Sequence, residues 1–122
     1  MHRLLVTGSR DWADKNAIEI GLRTVWNSWD NDTDAVLIVG RCPTGADKIA
    51  EDIWVSWGLT VEPYPADWKR YGRGAGPIRN KQMLNADPDV CLAFMNQGSS
   101  GTANMAKLAQ KAGLPVVLTQ GT

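Results

Sequence analysis

Three short segments of the chain combine glycine with small polar residues, a combination suited to binding a phosphate group. They occupy residues 7–12 (TGSRDW), 40–47 (GRCPTGAD) and 98–102 (GSSGT). Each segment follows an apolar run and precedes a pattern typical of a helix, so its free backbone N–H groups lie where a helix begins. Such N–H groups, together with the helix dipole, favour an anion. We therefore expect the three segments to bind a phosphate-bearing ligand.

Side chains of these segments would supplement the backbone. Glycine permits close approach of the backbone to a ligand, and hydroxyl groups add hydrogen-bond donors for phosphate oxygens. The guanidinium of Arg10 could donate a pair of charge-assisted hydrogen bonds to the same phosphate. The alternative is that Arg10 is an ordinary surface arginine. The candidate ligand-binding residues are Gly8, Ser9, Arg10, Gly40, Thr44, Gly45, Asp47, Arg79, Asn80, Gly98, Ser99, Ser100, Gly101 and Thr102.

The segment 40–47 has the Gly-x-x-x-x-Gly spacing of a phosphate-binding P-loop, but Ala46 and Asp47 stand where that motif has Lys and Ser or Thr. The missing lysine and the added carboxylate argue against tight binding of a triphosphate. Asp47 has two interpretations, which the sequence leaves equally open. Its carboxylate binds ribose hydroxyls, as in dinucleotide-binding folds, or it forms a capping box with Thr44 at the helix start.

Apolar runs and helical spacings alternate along the chain and predict the elements that position these segments. The runs predict strands at residues 4–6, 35–39, 61–64, 90–94 and 115–118. Helical spacing predicts helices over 18–29, 49–57, 78–86 and 101–112, with a long loop at 65–77. Strands that alternate with helices form parallel sheets. We predict a single doubly wound α/β domain over residues 1–122, with a mostly parallel five-stranded sheet and helices on both faces.

The composition excludes several kinds of protein. The chain has 122 residues, of which 13 are basic, 13 are acidic and 43% are apolar. No apolar run approaches the ~20 residues of a membrane span. His2 is the only histidine, so a Ser-His-Asp triad, a Cys-His pair and a histidine zinc site all lack parts. We expect a soluble cytoplasmic protein without membrane contact, metal site or a general basic surface for duplex DNA.

One stretch is strongly basic although the whole chain is neutral. Residues 67–81 contain five basic side chains and one acidic side chain, Asp67, which gives a local net charge of +4. Either this stretch is a solvated charged surface, or it is a rim that attracts a polyanionic ligand. Arg79 is the strongest ligand candidate of the five, because it starts a predicted helix that faces the same edge of the sheet.

The six tryptophans fall into two groups. The pairs Trp26/Trp29 and Trp54/Trp57 have helical spacing and indicate core or subunit-interface surface, so we expect a homodimer or a larger homo-oligomer. Trp12 and Trp68 lie in predicted loops at the binding edge, where each either stacks on a base or fills its own loop. Cys42 also lies at this edge, and we expect an inert thiol rather than a redox group.

Five motifs, in their order along the chain, resemble the SLOG superfamily and, more narrowly, its branch of short proteins related to YspA and cpYpsA. They are TGSRDW at 7–12, Gly40 with TGAD at 44–47, PADW at 65–68, GPIRN at 76–80 and GTANM at 101–105. The resemblance covers almost the whole chain and supports the choice of Arg79. It implies a Rossmann-like domain that binds nucleotides or nucleotide-derived signals.

Related members of that superfamily include DprA-type DNA-processing proteins and LOG phosphoribohydrolases, which cleave the base from a nucleoside monophosphate. The catalytic branch carries a Pro-Gly-Gly-x-Gly-Thr-x-x-Glu signature whose glutamate assists cleavage, and Met105 stands at that position here. We therefore favour a protein that binds a nucleotide or an ADP-ribose- or NAD-like molecule as sensor, carrier or sponge, with no cofactor besides that ligand.

Two other functions remain as alternatives. The first is a phosphoribohydrolase or N-glycosidase that acts on nucleoside monophosphates or NAD-like substrates, with Asp47 as the candidate catalytic carboxylate and Asp11 or Asp67 as substitutes. The second, suggested by the kinship with DprA and by the basic stretch, is binding of single-stranded nucleic acid. The zero net charge disfavours nucleic acid as a partner.

Overall fold

The computed structural model describes residues 1–121, which contain one five-stranded sheet. Its strands are β1 (His2–Gly8), β2 (Ala35–Val39), β3 (Thr60–Pro63), β4 (Val90–Met95) and β5 (Val116–Gln120). All neighbouring strands are parallel, and their order is β3-β2-β1-β4-β5. Strands β1, β2 and β4 are buried along most of their length because the central strands of a parallel sheet are covered on both faces. The predicted α/β fold class is confirmed.

Helices cover both faces of the sheet. They are α1 (Lys15–Ser28), α2 (Gly45–Ser56), α3 (Trp68–Tyr71), α4 (Ala75–Leu84) and α5 (Ser100–Lys111), with a 3-10 turn at Gly72–Gly74. Helices α1 and α2 pack against one face and α4 and α5 against the other. None of the helices in residues 1–121 has the length and apolar content that crossing a bilayer requires.

Two apolar clusters attach these helices to the sheet. On one face, Leu22 of α1 and Trp54 of α2 pack against strand residues that include Leu37 and Phe94. On the other face, Met83 of α4 and Met105 of α5 pack against Leu5, Ile38 and Cys91. Successive side chains of a strand point to opposite faces, so Leu4 and Leu5 belong to different clusters.

The prediction of a long loop at residues 65–77 is wrong, because most of this stretch is helical. Asp67 caps α3, since its Oδ1 atom accepts a hydrogen bond from the backbone N–H of Arg70 at 3.1 Å. Helix α4 begins at Ala75 rather than at residue 78. Pro77 therefore falls in the first turn of α4, where a missing N–H costs nothing because that group has no partner inside the helix.

The sheet order creates a crevice between β1 and β4. After β1 the chain crosses one face to β2, and after β4 it crosses the other face to β5, so the two connections leave in opposite directions. The carboxyl ends of β1 and β4 lie side by side, with Gly8 paired with Phe94. Open α/β sheets bind ligands at such a switch point.

Candidate ligand-binding site

A cleft of about 790 Å³ lies at this switch point. Its volume falls within the range of about 300–1,000 Å³ that is usual for small-molecule sites. The sequence-predicted residues that line it are Gly8, Ser9, Arg10, Asp47, Arg79, Asn80, Gly98, Ser99, Ser100, Gly101 and Thr102. The predicted residues that lie outside the lining are Gly40, Thr44 and Gly45.

The segment after β1 forms the floor of the cleft. A Cβ atom added to Gly8 would lie 2.2 Å from the Cβ of Ala46, so glycine lets α2 pack directly on the end of β1. Ser9 is buried, and its Oγ accepts a hydrogen bond from the backbone N–H of Asn96 at 2.8 Å. This bond ties the exit of β1 to the exit of β4.

The start of α5 presents unpaired backbone donors to the cleft. The N–H groups of Ser100, Gly101 and Thr102 have no hydrogen-bond partner among residues 1–121. Ser99 does not cap the helix with its side chain, because its hydroxyl donates to Oγ1 of Thr102 at 2.7 Å. Gly98 turns the chain into the helix with a φ of 84°, a conformation that glycine adopts without steric cost. An anion can therefore approach three donors and the positive end of the helix dipole.

Part of the segment 40–47 packs against the protein itself rather than facing the cleft. The backbone N–H of Ala46 donates to the carbonyl of Ser9 at 3.1 Å. A Cβ atom added to Gly45 would lie 2.3 Å from the same carbonyl oxygen, so the β1 segment fills this side of the loop. Gly40 is covered in turn by Arg79, whose Nη1 donates to the Gly40 carbonyl at 3.0 Å. The P-loop-like spacing thus serves packing within the protein.

The capping box proposed for Thr44 and Asp47 is also absent. The hydroxyl of Thr44 donates to the carbonyl of Arg10 at 3.0 Å and makes no cap bond to α2. Asp47 accepts, through Oδ2, a hydrogen bond from the backbone N–H of Cys42 at 3.3 Å. The carboxylate thereby stabilises the turn before α2 and remains part of the cleft lining.

Asp47 is a buried carboxyl group, with only 5% of its surface exposed. Burial raises the pKa of Asp47, against the lowering effect of the Cys42 hydrogen bond and the Arg79 charge. The neighbouring Cys42 thiol has a raised pKa as well, first because it is desolvated and then because of the Asp47 charge. A raised pKa keeps a thiol protonated and unreactive at neutral pH, which favours the inert interpretation of Cys42.

Three arginines line the cleft without an acidic partner. Arg10, Arg73 and Arg79 form no ion pair with any carboxylate among residues 1–121. The other basic residues of the 67–81 stretch, Lys69, Arg70 and Lys81, lie outside the lining. The basic stretch therefore supplies two cleft arginines and otherwise forms charged surface.

Asn80 holds Arg79 and two helices in place. Its Oδ1 accepts a hydrogen bond from Nε of Arg79 at 3.1 Å, and its amide donates to Oδ1 of Asn104 at 3.1 Å. The same amide lies 3.4 Å from the carbonyl of Gly101. Since Asn80 is almost fully buried, these bonds fix the start of α4 against the start of α5.

The two loop tryptophans have different surroundings. Trp12 is 5% exposed, packs edge-to-face on Phe94 at 5.5 Å and donates through Nε1 to the carbonyl of Asp14, so it fills its own loop. Trp68 lines the cleft and is 49% exposed. Of the substitute carboxylates, Asp11 lines the cleft whereas Asp67 caps α3 outside it.

Met105, at the position of the LOG glutamate, lies in the core. Its side chain is fully buried in the cluster around Leu5 and Ile38 and does not reach the cleft. Among residues 1–121, no group of three or more His, Cys, Asp or Glu side chains is placed to hold a metal ion.

Some lining residues were not predicted as ligand-binding residues. Asn104 lies one helical turn after Gly101 on α5, and this spacing could have identified it. Thr7, Asp11, Cys42, Trp68, Arg73, Gly76 and Pro77 belong to segments that the sequence analysis singled out without assigning them to the ligand site, whereas for Met83 and Gln97 the sequence carries no comparable signal.

Comparison with known proteins shows which family this chain belongs to. The sequence model of the YspA, cpYpsA-related SLOG family (YAcAr) matches residues 2–71, a range that includes Arg10, Asp47 and Trp68 and ends before α4. The Gene 61 protein of Mycobacterium phage D29 is 39% identical over 128 aligned positions, which cover 96% of this chain and 95% of that protein.

Two solved structures are similar at a lower level. Both are of the C-terminal domain of the PF1911 hydrogenase from Pyrococcus furiosus. One is 16% identical, with a TM-score of 0.44, and the match covers 97% of this chain and 91% of that one. The other is 14% identical, with a TM-score of 0.42, and the match covers 96% and 90% respectively.

Proposed function

Because the chain belongs to the YspA, cpYpsA-related SLOG family, we propose that its cleft binds a nucleotide or a nucleotide-derived molecule of the ADP-ribose or NAD type. The protein would hold this ligand in the cytoplasm as a sensor, carrier or sponge. The phosphate would bind at the start of α5, and the sugar would lie towards Asp47 on the opposite wall.

This proposal rests on the unpaired hydrogen-bond donors that line one cleft together. Three backbone N–H groups at the start of α5 and three arginines line the same cavity, and none of these arginines forms an ion pair with a carboxylate among residues 1–121. Positive charges and a helix N-terminus that no carboxylate of the described residues neutralises favour an anionic guest, because both form charge-assisted hydrogen bonds with anions. Arg79 is the best-positioned of the three, since two hydrogen bonds hold its guanidinium in place.

The polar opposite wall suits a sugar. Asp47 offers an acceptor for ribose hydroxyls, and Asn104 of α5 also lines the cleft, with an amide group that both donates and accepts hydrogen bonds. The sugar hydroxyls would then meet Asp47 while the phosphate meets the helix start.

Isothermal titration calorimetry tests this function. We expect AMP, ADP-ribose, NAD or a cyclic nucleotide to bind with a stoichiometry of one per chain, and adenosine, which lacks phosphate, to bind far more weakly. Affinity should fall as salt increases, because the arginines contribute Coulomb attraction. If a folded sample binds none of these phosphorylated compounds at millimolar concentration, the proposal fails.

Hydrolysis of the ligand is the second candidate function, and the burial of Asp47 favours it. A buried carboxyl group with a raised pKa in a cleft is a typical general acid or base, and an oxocarbenium-like transition state needs a carboxylate nearby. Free base released from AMP or NAD by the wild type, and not by Asp47→Asn, would establish an N-glycosidase. An unchanged chromatogram after long incubation would leave binding as the function.

A further inference from the structure

Trp68 differs from the other five tryptophans in its exposure. It is the one tryptophan of the chain in the exposed class, and its indole N–H has no acceptor among residues 1–121. Trp12 and Trp54 are buried, and both donate through Nε1 to backbone carbonyls. The indole of Trp68 therefore offers a free apolar face and a free N–H group to a ligand.

The backbone holds Trp68 at the rim of the cleft. Trp68 is the first residue of α3, whose start is fixed by the Asp67 cap. On the cleft side, a Cβ atom added to Gly76 would lie 3.7 Å from Cη2 of Trp68, so the ring lies beside the start of α4. No other aromatic side chain of residues 1–121 lines this cleft.

One face of the indole already attracts a cation. The guanidinium carbon of Arg10 lies 5.6 Å from the centroid of the Trp68 ring, within the range of a cation–π interaction. Arg10 directly follows Gly8 and Ser9 at the end of β1, and it forms no ion pair with a carboxylate in the described part of the chain, residues 1–121. The arginine thus joins the aromatic rim to the segment after β1 that forms the floor of the cleft.

We propose that Trp68 is the base-binding platform of the cleft: the planar base of a nucleotide stacks on its indole, and Arg10 moves from the ring to the ligand's phosphate. This inference rests on the proposed function and specifies its ligand, because a sugar phosphate without a base would leave the ring uncovered. Stacking on an exposed indole accepts any base, since every base has a π-face. The identity of the base would then be set by other parts of the cleft.

Matched ligands with and without a base test the proposal. In calorimetry we expect wild-type protein to bind the best of the four nucleoside 5′-monophosphates about 5- to 150-fold more tightly than ribose 5-phosphate, as base–aromatic stacking implies. Trp68→Ala should bring that monophosphate down to the affinity of ribose 5-phosphate and leave ribose 5-phosphate itself unchanged, whereas Trp68→Phe should retain most of the difference.

Tyr71→Ala is the matched control. Tyr71 is an exposed aromatic residue of the same short helix but lies outside the cleft lining, so its removal should change neither affinity. Thermal melting of each variant checks that the fold is intact. Should Trp68→Ala fail to fold, the difference in fluorescence between wild type and Trp68→Phe isolates the Trp68 signal, which the monophosphate should quench and ribose 5-phosphate should not.

The outcomes separate this inference from the proposed function. If the monophosphates and ribose 5-phosphate bind equally well and Trp68→Ala changes neither, phosphate binding stands and the base platform is overturned. Equal quenching of wild type and Trp68→Phe would overturn it as well. If the wild type binds no phosphorylated compound at all, the proposed function itself fails.

Discussion

Asp47 carries the least favourable charge of the cleft, because its carboxyl group is almost fully removed from water. Its raised pKa means that the folded protein binds the Asp47 proton more tightly than the unfolded chain does. The resulting contribution to stability is complete below the unfolded pKa and is lost as the pH rises through the folded pKa. Above the folded pKa, Asp47 therefore stabilises the fold less than a neutral side chain at this position would.

The variant Asp47→Asn tests whether the Asp47 contribution to stability decreases as the pH rises. The amide still offers an oxygen to the N–H of Cys42 but never ionises, so we expect its melting temperature relative to wild type to increase between pH 4 and pH 7. The control is Asp52→Asn, at an exposed carboxylate paired with Lys48, where the difference should stay small across this range. A pH-independent difference for Asp47→Asn would show that Arg79 compensates for the burial of the charge.

Arg79 is the side chain on which ligand affinity should depend most. Replacing Arg79 with Ala removes a fixed guanidinium from the cleft, and we expect the affinity for the nucleotide ligand to fall by about 10- to 100-fold, the usual effect of a lost hydrogen bond to a charged group. Lys81→Ala removes the same charge from the same helix outside the cleft. Equal losses in calorimetry with both variants would mean that general charge, rather than a specific contact, determines binding.

At the scale of elements, the same substitution to alanine should affect the stability of the fold differently at Gly8 and at Gly101. Gly8→Ala places a methyl group against Ala46 and Phe94, so α2 must move off β1, and we expect a loss of about 1–3 kcal/mol in urea-induced unfolding. An added Cβ at Gly101 meets no atom within 4 Å, so Gly101→Ala should change stability by less than about 0.5 kcal/mol.

Ligand binding, unlike stability, should distinguish Gly101→Ala from wild type. Gly101 lines the cleft at the unpaired N–H groups of α5, where a methyl group would keep a phosphate at a distance. We therefore expect Gly101→Ala to bind the ligand more weakly than wild type in calorimetry while melting at the wild-type temperature. A Gly101→Ala variant with full affinity would exclude close approach of a phosphate to this helix start.

The sequence predicts the order of elements well because buried parallel strands are short and apolar and the helices repeat apolar residues at their own spacing. The sequence predicts less well which contacts form between segments that are distant along the chain. The packing of residues 40–47 against the β1 segment could not be predicted, because the carbonyl of Ser9, far away in the chain, takes the N–H of Ala46. Likewise, only the packing of Trp12 on Phe94 distinguishes it from Trp68, since both lie in similar polar segments.

At the scale of the whole molecule, the tryptophans divide between core and surface. Trp54 is fully buried, whereas Trp26 and Trp57 stack on each other at 5.3 Å and remain partly exposed. Ile20 of α1 and Val55 of α2 are exposed apolar side chains on the same two helices. Association of two copies would cover such apolar surface.

A homodimer thus remains our prediction for the protein in solution. Sedimentation velocity should give a mass of twice 13.3 kDa at micromolar concentration, and Val55→Glu should shift it towards 13.3 kDa. Val117→Glu, on the edge strand β5, is a control of equal chemistry on another surface. A 13.3 kDa species at every concentration would contradict the dimer without affecting the cleft.

The central claim is that an anionic nucleotide binds at the start of α5, and amide chemical shifts measured by NMR test it most directly. In a titration with ADP-ribose or AMP, we predict saturable shifts that are largest for the N–H groups of Ser100, Gly101 and Thr102, with smaller ones at Ser9 and Arg10. Adenosine should leave the three α5 amides unmoved. Saturable shifts confined to the surface of α1 and α2, with the α5 amides unchanged, would contradict the account.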